Sequence, residues 1–221
     1  AFNVLLYKYT GQEDIVIGSP VAGRERAELQ EIVGMFVNTL AMRNYPEGKK
    51  SILGFLEEVK SNALKAYENQ GYGFEDLVER VEIERDVSRN PLFDVMLVLE
   101  NFEYEGMGFK GLEFKQYELE NSTSKFDVTL TVIDVAEGMS LDVEYCVKLF
   151  RRETIERMCR HYEMVLEEIV KCPERKLEDI EIMMKEEREE IERNNCTEKE
   201  YDREKTASRR FEEIAGKNPG D

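Results

Sequence analysis

The chain has 221 residues, 41% of them hydrophobic, which is enough to bury a sizeable core as one domain or as one lobe with a tail. Its 48 acidic and 31 basic residues give a formal net charge of -17, which disfavours nucleic acid and anionic membrane surfaces as partners. No apolar run approaches the roughly 20 residues that cross a bilayer, and no secretory leader opens the chain. We therefore expect a cytoplasmic protein whose four cysteines stay reduced.

The first part of the chain predicts short strands between helices. Apolar spacing indicates the end of a helix over residues 1–10, with Gly11 as its stop. Strands are expected over residues 15–19 and 35–43, and helices over residues 51–70 and 74–81. The helix over 51–70 has an apolar stripe, which is typical of a helix that packs on a sheet.

The rest of the chain predicts four strands, a long helix and a charged end. The strands are expected over residues 92–99, 112–119, 126–135 and 139–147, and the helix over residues 152–170. Residues 92–99 are almost continuously apolar, so we expect a central strand covered on both faces. The strand over 139–147 alternates apolar and polar residues after a Glu137-Gly138 turn, which indicates a hairpin with one wet face. Residues 185–193 predict a solvated helix.

The residues offer little catalytic chemistry of their own. His161 is the only histidine, without a second imidazole to share a metal, so we expect a surface or half-buried polar residue and no metal site. Asn38 and Thr39 end an apolar run and point to opposite faces of a strand, so only one of them can face a cavity. A polar strand end and a substrate contact explain Asn38 equally well. The charges Asp86, Arg89, Asp94 and Asp127 are expected to pair and fix loops.

Four segments in a fixed order carry a resemblance that runs from Ala1 to about Ile182. They are Gly34-Met35-Phe36-Val37-Asn38-Thr39, Asn69-Gln70-Gly71-Tyr72-Gly73-Phe74-Glu75, Arg85-Asp86-Val87-Ser88-Arg89-Asn90-Pro91-Leu92-Phe93-Asp94 and Ser124-Lys125-Phe126-Asp127-Val128-Thr129-Leu130. Together they resemble the late motifs of the condensation domain of nonribosomal peptide synthetases, a family that joins carrier-bound aminoacyl or peptidyl thioesters into amide bonds. The catalytic His-His-x-x-x-Asp-Gly signature, which lies in the first half of the family's domain, has no match here.

The resemblance implies a fold and a partial domain. The expected fold is an α/β two-layer sandwich in which helices pack on a mixed, mostly antiparallel sheet, as in a lobe of chloramphenicol acetyltransferase. Residues 1–182 would be the C-terminal lobe, with the N-terminal lobe missing, and part of residues 102–124 would cross to that lobe as a latch. Residues 183–221 would be a charged linker and the start of an adenylation domain.

The resemblance also implies roles for two sets of residues, neither of them catalytic. The substrate tunnel or the lobe interface would be lined by Ser19, Arg24, Gly34, Met35, Phe36, Asn38, Thr39 and Ser124. The structural motif before the central strand would consist of Arg85, Asp86, Arg89, Asn90, Pro91 and Asp94, with Asp127 beside it.

The implied partners are the missing lobe, peptidyl carrier proteins and the adjoining adenylation domain. The phosphopantetheine arms of the carrier proteins would enter the tunnel, and the chain itself would bind no cofactor. The fragment would be inactive alone, would self-associate through its uncovered face, and would serve antibiotic biosynthesis as part of a synthetase. The motif Arg85-Asp86-Val87-Ser88-Arg89-Asn90 resembles the form that accepts an L-configured donor. An epimerisation-type relative and a non-catalytic docking platform for carrier or adenylation domains remain as alternatives.

Overall fold

The computed structural model describes residues 1–81, 89–100, 123–135, 138–198 and 206–217. Contacts divide the chain into two compact units, residues 1–182 and 183–221. The elements of the first unit follow in this order: α1 (Phe2–Thr10), β1 (Ile15–Val21), β2 (Asn38–Asn44), α2 (Ile52–Glu68), α3 (Phe74–Arg80), β3 (Val95–Glu100), β4 (Val128–Val135), β5 (Gly138–Tyr145) and α4 (Arg152–Lys171). Two short 3-10 turns, Ala27–Leu29 and Leu177–Asp179, complete it.

The strands form one mixed sheet in the order β2-β1-β3-β4-β5. The β1–β2 and β4–β5 pairs are antiparallel, whereas the β1–β3 and β3–β4 pairs are parallel. The α/β sandwich with a mixed sheet is therefore confirmed, although its pairings divide evenly between the two directions. The predicted hairpin is also confirmed, since β4 and β5 pair from Val128↔Tyr145 to Val135↔Gly138.

An apolar core joins one face of this sheet to α1, α2 and α4. Its buried members are Phe2, Val4, Leu5, Ile15, Ile17, Ile52, Phe55, Val128, Leu130, Ile155, Tyr162, Val165, Leu177 and Ile180. Their spacing follows the helical and strand periods, so each element contributes one apolar face. The expected packing of the helices over 51–70 and 152–170 against the sheet is confirmed.

The ends of α1 and α2 are fixed by the residues that cap them. Gly11 ends α1 with a φ of 69°, a left-handed conformation that a glycine adopts without strain. Ser51 begins α2, and its hydroxyl accepts a hydrogen bond from Gly54 N at 3.1 Å. The start of α2 is also joined to the segment after α4, because Ile52 N donates to Arg175 O at 2.8 Å.

β3 lies in the middle of the sheet as predicted, whereas the covering of both its faces stays a prediction. Val95 and Leu97 pack against the core, whereas Met96 and Val98 on the opposite face are half-buried. Among the described residues, the apolar core covers only the face that α1, α2 and α4 share. An apolar run therefore indicates a central strand without showing that two layers cover it.

Three strands begin later than predicted, and β4 begins at Val128 instead of residue 126. β2 begins at Asn38 instead of residue 35, because residues 34–37 belong to a connection that Arg24 holds. β3 begins at Val95 instead of residue 92, since the ring of Phe93 packs into the sheet beside Gly18. The predicted strand over 112–119 and the latch over 102–124 lie almost entirely outside the described residues.

The described part of the second unit contains two helices, α5 (Lys185–Asn195) and α6 (Ala207–Lys217). At the start of α5, Glu187 accepts a hydrogen bond from Met184 N at 2.9 Å. α6 leaves Phe211 and Ile214 exposed, at 73% and 55%. No helix among the described residues is long and apolar enough to span a membrane.

Candidate functional site

The connection between β1 and β2, residues 22–37, contains four of the eight residues predicted for the tunnel or the lobe interface, namely Arg24, Gly34, Met35 and Phe36. Gly23 has a φ of 63°, and a Cβ at that position would lie 1.8 Å from the carbonyl oxygen of Phe36. The two ends of the connection therefore touch, and only glycine fits between them.

Arg24 joins the two arms of this connection. Its guanidinium donates hydrogen bonds to the carbonyl oxygens of Leu29 and, at 3.4 Å, of Gly34. Its Cζ lies 4.4 Å from the centre of the Phe36 ring, which is a cation–π distance. The structure thus brings Arg24, Gly34 and Phe36 together.

Beyond Arg24 the connection presents a patch of exposed apolar side chains, which we call the apolar tip. It consists of Ile32 (48% exposed), Val33 (99%), Met35 (88%) and Val37 (56%). Apolar side chains that are this exposed and this close in sequence are uncommon on a monomer and are typical of a surface that meets another protein. Met35 was predicted from the sequence and Val33 was not, although the run Ile32-Val33 in a polar segment could have indicated it.

Asn38 follows the apolar tip and uses its whole side chain to fix the segment before α3. Its Nδ2 donates to the carbonyl oxygens of Gln70 and Tyr72, at 2.8 Å each. Its Oδ1 accepts from Thr39 N at 2.8 Å and Phe74 N at 3.3 Å. The side chain therefore acts as a bracket between β2 and α3.

Ser19 and Thr39 lie on the two strands that flank the connection. Ser19 pairs with Leu40 and shares the core-facing side of β1 with Ile17, whereas Thr39 pairs with Pro20 on the opposite side. Both are half-buried. Asn38 and Thr39 thus point to opposite faces, which is the arrangement expected of neighbours on a strand.

A second group of predicted residues lies where β3 and β4 begin. Arg89 forms a bidentate ion pair with Asp94, and Asp127 N donates to Asp94 O at 2.9 Å. The hydroxyl of Ser124 donates to Phe126 O in the same segment. Burial and the neighbouring Asp94 carboxylate raise the pKa of Asp127, while Arg89 opposes the shift.

The rings beside this group pack against one another. Phe93 lies 5.6 Å from Phe74 and 5.7 Å from Phe126, measured between ring centres. Asn90 and Pro91 are half-buried, while Arg85 and Asp86 lie outside the described residues.

The two groups lie at opposite ends of the sheet. β1, β3 and β4 run parallel, so the connection after β1 and the charged residues before β3 and β4 cannot share one edge. Ser124 therefore lies with the charged group and apart from Arg24 and the apolar tip.

His161 is buried, contrary to the expectation of a surface or half-buried side chain. It is 6% exposed, and its Nδ1 lies 2.7 Å from the hydroxyl of Tyr9. Tyr9 and His161 join α1 to α4, and this burial could not be predicted because His161 only flanks the apolar stripe of its helix. No cluster of His, Cys, Asp and Glu that could hold a metal occurs in the part of the chain that the structure describes.

Relatives of the chain are large peptide synthases. It is 48% identical over 220 residues to bacitracin synthase 3 of Bacillus licheniformis, and 46% identical over 220 residues to tyrocidine synthase 3 of Brevibacillus parabrevis. Each match covers 99% of this chain, but only 4% and 3% of the relative. The chain thus spans a small fraction of the relatives it matches.

Solved structures show the same fold. A four-domain nonribosomal peptide synthetase bound to AMP and glycine matches 83% of this chain with a TM-score of 0.73 and 26% identity, over 15% of its own length. The condensation domain of a monacolin K polyketide synthase matches 80% of this chain with a TM-score of 0.71, over 41% of its length. At 20% identity, this second likeness concerns the fold alone.

The condensation domain family model matches residues 1–192, which is most of the chain. The resemblance carried by the four segments and the shared fold agree with this match. The chain therefore belongs to the condensation domain family.

Proposed function

We propose that residues 1–182 are the C-terminal lobe of a condensation domain in a nonribosomal peptide synthetase. The domain would form an amide bond between a carrier-bound aminoacyl or peptidyl thioester and the amine of an acceptor, with an L-configured donor. The observation that carries this proposal is the coverage of solved condensation domains. They match 80–83% of this chain, yet the matched part is only 40–43% of their own length. More than half of such a domain is not represented in the chain.

The second unit suits a different role. Residues 183–221 form a separate compact unit with highly charged, exposed helices, and the family match ends at residue 192. We propose that this unit is a linker followed by the beginning of an adenylation domain.

The apolar tip supports a lobe that is normally covered. Val33 and Met35 are exposed apolar side chains on a chain that is otherwise strongly acidic. Such a surface resembles the core of a protein interface, which is depleted in charged residues. The first lobe of the domain is the partner that suits this surface. In that arrangement Arg24, Gly34, Phe36, Asn38 and their neighbours would form the interface and the floor of the tunnel.

The chemistry assigned to this lobe is positioning. His161 is engaged by Tyr9 inside the helix layer, so it is poorly placed to act as a general base on a substrate. The proton transfer would fall to the histidine motif of the first lobe. This lobe would hold the acceptor amine and the donor thioester close together, which alone lowers the barrier to amide formation.

The remaining partners follow from this assignment. Peptidyl carrier proteins would deliver the thioesters on phosphopantetheine arms, which act as substrates and not as a cofactor held by this chain. The adjoining adenylation domain would begin after the linker, within residues 183–221, and the synthetase would work in the cytoplasm.

An amide-forming assay tests the proposal. Donor and acceptor aminoacyl carrier proteins are incubated with the chain alone, with the preceding segment of bacitracin synthase 3 alone, and with both. Mass spectrometry should detect dipeptide only when both pieces are present. Dipeptide from the chain alone would contradict the proposal. Carrier binding without product in the presence of both pieces would instead favour the docking platform.

A further inference from the structure

We propose that Arg24 is a positioning residue that holds the apolar tip in the conformation that meets the first lobe. This inference rests on the proposed function, because the first lobe is the partner that the tip would meet. Arg24 does not itself belong to the tip. Arg24 is half-buried at the base of the connection, whereas Val33 and Met35 project from it.

Arg24 contacts the chain both before the apolar tip and within it. Before the tip, its guanidinium donates to Leu29 O and lies 3.5 Å from Gln30 O. Between the residues of the tip it donates to Gly34 O and stacks on Phe36. A guanidinium presents several donors in one rigid plane, so it can donate hydrogen bonds to carbonyl groups of two separate segments at once.

The backbone of the connection supplies order only up to the tip. Leu29 N donates to Arg26 O at 3.0 Å, and Ile32 N donates to Leu29 O at 3.3 Å, which forms a turn over residues 26–32. After Ile32, the contacts of Gly34 and Phe36 with Arg24 tie the chain back to the base. Gly23 adds to this closure, since its lack of a side chain lets the carbonyl of Phe36 approach.

A tip that is already ordered before binding should strengthen association with the first lobe. An exposed apolar segment that must be ordered on binding loses conformational entropy, and this loss weakens the complex. Because Arg24 fixes the connection in the free chain, most of that loss is incurred during folding. Removing the guanidinium should therefore weaken the contact with the first lobe without removing any atom of the tip.

Three variants separate this role from a general effect of charge. Arg24→Met removes the guanidinium and keeps an apolar stem, and Arg24→Lys restores the charge but not the planar donors. Arg26→Met is the matched control, since Arg26 is exposed, lies two residues away and changes the net charge equally. The chain is titrated against the preceding segment of bacitracin synthase 3, and hydrogen exchange is followed in the free chain.

Arg24→Met should lower the affinity about tenfold or more, because hydrogen bonds to a charged donor are stronger than neutral ones. Arg24→Lys should fall between Arg24→Met and the parent, and Arg26→Met should equal the parent. In the free chain, Arg24→Met should speed exchange of the amides of residues 29–36 and leave those of α2 unchanged. Equal affinity for Arg24→Met and Arg26→Met, or exchange that is faster throughout α2 as well, would overturn the inference.

A double-mutant cycle with Met35→Ala supplies a readout that a purely structural role would not change. If Arg24 acts through the tip, Arg24→Met should cost no more than roughly threefold in affinity once Met35 is truncated. Independent losses that multiply would overturn the inference while leaving the proposed function intact. A parent chain that does not bind the first lobe at all would overturn both.

Discussion

Gly18 lies against the ring of Phe93, and this contact leaves no room for a side chain at position 18. A Cβ there would lie 2.2 Å from Phe93 Cε2, and the ring is buried between Phe74 and Phe126. We predict that Gly18→Ala destabilises the chain by about 1–3 kcal/mol, because the core would be overpacked. Urea unfolding measures this loss.

Two further variants check the cause of that loss. Gly216→Ala adds a methyl group where no atom lies within 4 Å, so it should not destabilise the chain. Phe93→Leu combined with Gly18→Ala should recover part of the lost stability relative to the sum of the single changes. Strictly additive losses would contradict the contact.

The carboxyl group of Asp127 makes stability depend on pH. Burial, together with Asp94, raises its pKa above the ordinary value of 3.8, so the folded chain holds this proton more tightly than the unfolded chain. The stability contributed by Asp127 is therefore highest below pH 3.8 and is lost as the pH rises through the raised pKa. We predict that Asp127→Asn removes this loss. The variant should gain stability relative to the parent between pH 4 and pH 7 in urea unfolding.

Arg89 offers an independent check on the same carboxyl group. Its cation opposes the shift, so Arg89→Met should raise the pKa of Asp127 further. A carbon-13 NMR titration of the carboxyl reports the pKa directly. A pKa that falls in this variant would show that the sign of the interaction is wrong.

The sequence could predict site residues only where side-chain chemistry is local. The pairing of Arg89 with Asp94 was expected, because opposite charges flank a proline turn. The bracket formed by Asn38 could not be predicted, since it joins residues more than 30 positions apart. Nor could residue types alone show that Ser124 lies at the opposite end of the sheet from Arg24, because that separation depends on strand direction.

At the scale of elements, the periodic patterns predicted the helices and internal strands well. α2, α4 and the β4–β5 hairpin lie where their apolar spacing indicates. The starts of β2 and β3 were missed, because tertiary contacts of Arg24 and Phe93 determine where these strands begin. The order of the strands in the sheet could not be predicted from the sequence either, since parallel strands that pair are distant along the chain.

β3 supplies the most direct test of the core. Leu97 packs against the core, so Leu97→Asp should bury an unpaired charge and cost about 4 kcal/mol or more, which is enough to abolish folding of a marginally stable chain. Leu99→Asp is the control on the same strand, and its 65% exposure should let the charge stay in water. Circular dichroism melting compares them. An unchanged melt for Leu97→Asp would disprove the core assignment.

For the whole molecule, the net charge and the apolar tip have opposite effects on self-association. A charge of -17 favours a monomer, whereas the apolar tip favours association. We predict that the chain self-associates as its concentration rises, and that Val33→Ser combined with Met35→Ser lowers this tendency. Size-exclusion chromatography with light scattering measures the mass. A parent that remains monomeric at all concentrations would contradict the prediction.

If this chain is one lobe of a two-lobed condensation domain, as we propose, it should bind the other lobe. Sedimentation velocity is run on the chain with and without the preceding segment of bacitracin synthase 3. We predict a one-to-one complex that replaces the self-associated species and that the double serine variant of the tip weakens. A chain that sediments identically in the presence and absence of the added lobe would contradict the account.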